Sequence, residues 1–300
     1  MLGLQYFSFS EIWSPLNMVI AILIAVAYLG LIGPYRTKVF RESEPVSVGK
    51  ALCFLLGLLV YYMAHGGPID LLGHLMFSAH MTSMTLAYLV APPLMLLGIP
   101  GWMIRPLIRH PRAKKVFAFL THPMLTVFIF NVLFSFYHMP FIHDYVMTHF
   151  TVHRILFFVL LVSAFMMWWP VLNPTPEVNP ISELKKMAYI FSMGVLITPA
   201  CALLIFADST IYATYNDPAI WAQAMGYCVP TNAQALLQSF SGGPADFLLL
   251  GAQEDQQLGG VIMKVAQEIV YGWALGYVFF SWYGREKGDD NEMEPGPAAV

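Results

Sequence analysis

Apolar residues run along this chain in long blocks separated by short polar breaks. The blocks fall at roughly 17–35, 49–65, 72–98, 116–138, 153–172, 187–206 and 259–283. Each is close to the ~20 residues that a helix needs to cross the hydrocarbon core of a bilayer. No train of ten-residue alternating segments, the mark of a membrane β-barrel, is present. The pattern therefore predicts an all-α integral membrane protein with seven transmembrane helices, its membrane domain covering residues 1–284. The remainder, 285–300, is polar, acidic and rich in Pro and Gly (REKGDDNEMEPGPAAV), and is expected to be a disordered tail.

The breaks carry the charge, and the charge orients the helices. Arg36, Lys38, Arg41 and Lys50 lie in the first break, and Arg105, Arg109, Arg112, Lys114 and Lys115 in the third. Lys185 and Lys186 lie in the fifth, and Arg285 and Lys287 in the tail. Thirteen of the fifteen basic residues thus share one side, leaving Arg154 and Lys264 for the other. The positive-inside rule then places the N-terminus outside and the C-terminus in the cytoplasm. The long break 207–258 lies outside and includes a short apolar stretch, AIWAQAMGYCV (219–229), expected to be interfacial.

Composition agrees: 58% of residues are hydrophobic and only 11% charged, with a mean hydropathy of +0.62, against about 25% charged in a soluble domain. The first sixteen residues hold no Lys or Arg, so a basic leader region is missing. No nucleotide-binding, hydrolase or zinc-protease motif occurs. Nucleic-acid binding and catalysis are not expected. The net charge of −3 says little, because the charges are segregated.

Candidate chemistry concentrates on the outer side. Seven of nine histidines fall there: His65, His74, His80, His138, His143, His149 and His153. In a continuous third helix, Met76, His80 and Met84 share one face at a spacing of four, and His74 pairs with Met81 seven residues on. His149 and His153 form a similar pair. Thioethers with imidazoles suit Cu(I), whereas Ca²⁺ and Mg²⁺ prefer oxygen. The alternative is that the methionines only pack and the histidines only hydrogen-bond between helices. Candidate metal ligands are therefore His80, Met84, His74, Met76, Met81, His65, His138, His149 and His153, with His80 the foremost.

Three other features stay open. Lys264 and Glu268 lie four apart in the last block and either pair with each other or act in function. Asp255, in EDQQ (254–257), either caps a helix or faces the histidines. Cys201 and Cys228 either form a disulfide, or Cys201 serves as a thiolate ligand, or each is a small buried residue.

The segments GHLMFSAHMTSM, APPLMLLGIP, FNVLFSFYHMPFIHD, MMWWPVLNP, LITPACALLIFA and EDQQLGGVIMKVAQE occur in this order from the second block to the last. Together they resemble the CtaG family of multi-span assembly factors for caa(3)-type cytochrome c oxidase. The resemblance implies a bacterial plasma-membrane protein that helps build the buried copper centre of the oxidase catalytic subunit, its expected partner. It identifies no ligands. Combined with the soft donors, it leads to the expectation of transient Cu(I) binding on the extracytoplasmic side. Two alternatives remain: a haem-binding electron carrier with histidines from facing helices as axial ligands, and a metal transporter, for which inner-half candidates such as His122 are sparse.

Overall fold

The computed structural model describes residues 4–226, 240 and 242–293. The chain is 80% helical, with no strand among the described residues. Its principal helices are α1 (Pro15–Ile32), α2 (Val48–His65), α3 (Pro68–Leu75), α4 (Phe77–Thr85), α5 (Ala91–Gly98), α6 (Pro111–Leu120), α7 (Pro123–Tyr137), α8 (Pro140–Met147), α9 (Phe150–Leu172), α10 (Glu183–Ile205), α11 (Pro218–Met225) and α12 (Ala252–Met293). A five-residue π-helical turn, Leu86–Val90, joins α4 to α5. Pro68, Pro111, Pro123, Pro140 and Pro218 each open a helix, where a missing N–H costs nothing and the fixed φ is already helical.

Among the described residues, five helical segments are long and apolar enough to cross a membrane: 9–32, 48–75, 77–98, 150–172 and 183–205. A sixth exists if the bent pair α6–α7 is one span. α12 is not among them, because Lys264, Gln267 and Glu268 dilute its apolar run.

Three expected boundaries are corrected. The segment 116–138 is not one straight helix. It bends by 53° between α6 and α7, because Pro123 forces His122 into an extended conformation (φ −67°, ψ 126°). The segment 72–98 is broken at Met76, which is extended (φ −144°, ψ 141°). Residues 285–293, expected to be disordered, continue α12. No proline intervenes before Pro295, and Arg, Glu and Lys prolong helices readily.

The break at Met76 releases backbone groups that must be satisfied in an apolar interior. Tyr215 Oη donates to Gly73 O at 2.5 Å and Trp221 Nε1 to His74 O at 3.1 Å. At the start of α4, the Asp255 carboxylate accepts from Ser78 N at 3.1 Å and from Ser78 Oγ. Asp255 thus caps a helix 177 residues away in the chain. Its neighbours tether the segment that follows α10: Gln256 Oε1 accepts from Ile211 N at 2.9 Å, and Gln257 Nε2 donates to Ala207 O at 3.1 Å. EDQQ is therefore an anchoring motif.

The core is one cluster running through the bundle, with Phe77, Met81, Met84, Tyr88, Phe130 and Trp168 fully buried. α12 packs along α10 and α4, α2 along α5, and α7 against α9 and α10. The α2–α5 contact is close enough to require glycine: a Cβ on Gly98 would lie 2.5 Å from Phe54 Cβ and 2.6 Å from Lys50 O. α1 packs chiefly on α2 and exposes Leu16, Leu23 and Val26, as a lipid-facing helix does.

Candidate functional site

An open cavity of ≈ 570 Å³ lies between α1, α2, α3 and α9. His65 ends α2, His74 lies on α3, and His153 lies in the first turn of α9, so three separate helices bring three imidazoles to one space. Asp70 and Arg154 join them, and Ile20, Ile24 and Phe158 make the apolar lower wall. The His74 and His153 rings are 6.0 Å apart. His65 Nδ1 is 4.0 Å from Asp70 Oδ1, and its Nε2 has no hydrogen-bond partner among the described residues. His74 Nδ1 bonds Asp70 O at 2.9 Å. Taken as an Nδ1–H donor, that contact orients the ring as metal-binding imidazoles are oriented, by a backbone carbonyl on the nitrogen remote from the ion.

Behind this cavity lies a second, closed group. His80 on α4 is 4% exposed, and its Nε2 meets Tyr137 Oη at 3.1 Å. The same hydroxyl lies 3.7 Å from Met147 Sδ. Met147, at the end of α8, also lines the outer cavity and so touches both spaces. The His80 and His143 rings are 5.4 Å apart, nearly perpendicular. Phe77, Tyr212 and Tyr215 wall in His143. His138 Nδ1 bonds Phe134 O at 2.7 Å, leaving Nε2 buried without a partner among the described residues.

Eight buried side-chain N or O atoms lack a hydrogen-bond partner among the described residues, and four are histidine ring nitrogens. They belong to His65, His138 and, twice, His143. The others are two indole nitrogens, a tyrosine hydroxyl and an amide oxygen, none a soft-metal donor. Each such group costs about 1–3 kcal/mol if nothing enters to pair with it. His143 Nδ1 stands 3.7 Å from Asp144 Oδ1, beyond hydrogen-bond length.

Asp144 is occupied on its other side. It accepts from Ala213 N and Thr214 N, both at 3.0 Å, and from Thr214 Oγ1 at 2.6 Å. Burial pushes this carboxyl up, but His143 and the Thr214 and Ala213 donors outweigh it and leave it below its ordinary value. Burial pushes the His143 imidazole below its ordinary value, against the opposing pull of Asp144. His143 is therefore held neutral, the form that binds metal.

The sequence from residue 26 to residue 285 matches the cytochrome c oxidase caa3 assembly factor family. The chain belongs to that family. No curated protein and no solved structure matches it. The caa3 assembly factor match begins within α1, so residues before 26 lie outside it. Those residues nevertheless close one side of the histidine cavity: Asn17 Nδ2 donates to His65 O at 3.0 Å, and Tyr62 Oη donates to Trp13 O at 2.6 Å.

In this caa3 assembly factor the expected ligands divide. His65, His74 and His153 share the open cavity, and His80 and His138 are buried in the inner region. The Met76–His80–Met84 column does not form on one continuous helix, because Met76 is the extended residue before α4. The break likewise separates His74 from Met81. Met81 packs against Gly259 of α12, and Met84 is fully buried in the core. His149 stands at the N-cap position of α9 without a side-chain capping bond, is exposed, and stacks on Tyr145 at 4.0 Å. Lys264 Nζ pairs with Glu268 Oε1 at 2.6 Å and also donates to Thr198 and Gln267. Cys201 is buried, and Cys228 falls outside the described residues.

Sequence reasoning did not single out Asp70, Tyr137, Asp144 or Met147. The first three are ordinary polar residues in apolar stretches, and only the histidine beside Asp144 marked it. Among the described residues, no three His, Cys, Asp or Glu side chains converge closely enough to hold a metal ion.

Proposed function

We propose that this caa3 oxidase assembly factor assists formation of the buried copper centre of the oxidase catalytic subunit by holding Cu(I) transiently as cargo. It does so from the bacterial plasma membrane, as a seven-span protein with its N-terminus outside and its C-terminus inside, counting α12 as the seventh span. The observation that carries this reading is the convergence of His65, His74 and His153 on one open cavity. The donors suit the cargo: imidazoles, the Met147 thioether at the cavity wall, and a His65 nitrogen with no hydrogen-bond partner among the described residues. A carrier must also release its ion. Separated donors that are not already drawn into a closed cage suit exchange better than a permanent site.

Deletion under copper-limited growth tests this. The oxidase subunits and their haem should still be present, with oxidase activity low and restored by added copper or by the wild-type gene. A His65→Ala/His153→Ala chain should insert normally but fail to restore activity. Normal oxidase activity in the deletion strain would end the assembly reading. A purified protein with a Soret band and no copper would replace the cargo by haem.

A further inference from the structure

We propose a second Cu(I) position inside the protein, formed by His80, His143 and Met147 behind the outer cavity. It deepens the copper reading given above and rests on it. Three independent observations meet here. His143 is fully buried, yet neither ring nitrogen has a hydrogen-bond partner among the described residues. Its neighbour His80 presents its ring at 5.4 Å. Met147 lies against the outer cavity on one side and the Tyr137 hydroxyl on the other, so among the described residues its thioether is the soft donor shared by both spaces.

Two imidazoles and a thioether form a soft, neutral donor set that favours Cu(I) over harder divalent ions. Neutral ligands with a monovalent ion also limit the charge brought into a buried space. Asp144 supplies the outer support: it lies beside His143 Nδ1 and is itself fixed by Thr214 and Ala213. At 3.7 Å the carboxylate is not hydrogen-bonded to the ring; closing on Nδ1 when the ion binds would make the carboxylate–imidazole pair that orients a ligating histidine.

Tyr137 acts as the placeholder. Its hydroxyl sits between His80 Nε2 and Met147 Sδ, at 3.1 and 3.7 Å. It pairs with both donors while no ion is present and turns away when Cu(I) enters. The outer cavity takes the ion from solution, and Met147 hands it inward to a position shielded from water. Tyr137 is thus a positioning residue.

The test uses the full-length protein in detergent, loaded anaerobically with Cu(I) against a chromogenic Cu(I) chelator. Wild type should retain two equivalents. His143→Phe, which keeps an aromatic ring in the same aromatic surroundings, should retain one, and His65→Ala/His153→Ala should also lose one. In X-ray absorption, the copper–sulfur scattering of the loaded wild type should vanish in Met147→Leu. Tyr137→Phe should keep both equivalents and bind the inner one more tightly.

Two equivalents in His143→Phe, or an unchanged copper–sulfur signal in Met147→Leu, overturns the inner position. One equivalent in wild type, lost with His65 and His153 but indifferent to His143, overturns it while sparing the outer cavity. No retained copper in wild type overturns both. If His143→Phe does not fold, the Met147→Leu spectrum decides.

Discussion

Removing the Asp255 carboxylate should loosen the entire histidine region, and the size of the effect follows from its contacts. Asp255 is 5% exposed and accepts two hydrogen bonds at the first turn of α4. Hydrogen bonds to a charged group contribute about 1.5–3 kcal/mol each, and a helix cap alone is typically worth about 1 kcal/mol. Asp255→Ala leaves Ser78 N without its acceptor. We expect a loss of about 2–4 kcal/mol, read as a fall of about 5–10 °C in the melting temperature of the detergent-solubilised protein. Ser78→Ala removes only the hydroxyl contact and should cost about 1 kcal/mol. Because the two residues share one contact, the double variant should be less destabilised than the sum of the singles. His80 lies two residues beyond Ser78, so copper retention should fall in Asp255→Ala as well. A melting temperature within 1 °C of wild type would refute the idea that the distant carboxylate holds the break.

Acidification should destabilise the protein in two steps. The buried neutral His143 resists a proton that the unfolded chain accepts, so stability should decline as pH falls through about 6.5. The depressed Asp144 contributes stability above the ordinary carboxylate value and loses it only as pH drops below about 4. In His143→Phe the first decline should become shallower in melting curves collected between pH 7.5 and 5, the remainder belonging to the other buried imidazoles such as His80 and His138. Gly98→Leu should abolish the folded protein on size-exclusion chromatography, since its Cβ meets backbone and Phe54 at 2.5–2.7 Å. Gly272→Ala, with nothing within 4 Å, should behave as wild type. Reporter fusions in the 207–258 loop and after residue 293 should report opposite sides of the membrane; the same side for both would remove α12 as a span.

The apolar blocks were readable because a membrane helix advertises itself in composition alone. Its interruptions were less so. The bend at Pro123 did carry a local signal, a proline inside an apolar run. The break at Met76 carries no proline, and the groups that satisfy its freed backbone, Tyr215, Trp221 and Asp255, lie far along the chain. That is why a face drawn through Met76, His80 and Met84 on an unbroken helix did not survive. The charge asymmetry groups the histidines on one expected side and says nothing about which of them are neighbours. Which imidazoles meet, and that Tyr137 and Met147 stand between them, depends on how α4, α8 and α9 pack. No spacing within one segment encodes that.

The clamp between Ser78 and Asp255 also sets an order of events during synthesis. The first turn of α4 is made 177 residues before the carboxylate that completes it. Gly73 O and His74 O likewise wait for Tyr215 and Trp221. A nascent chain that has inserted its early helices therefore still lacks the partners that turn His80 inward. The histidine region is finished only when the last helix arrives, so a chain truncated before α12 cannot complete it.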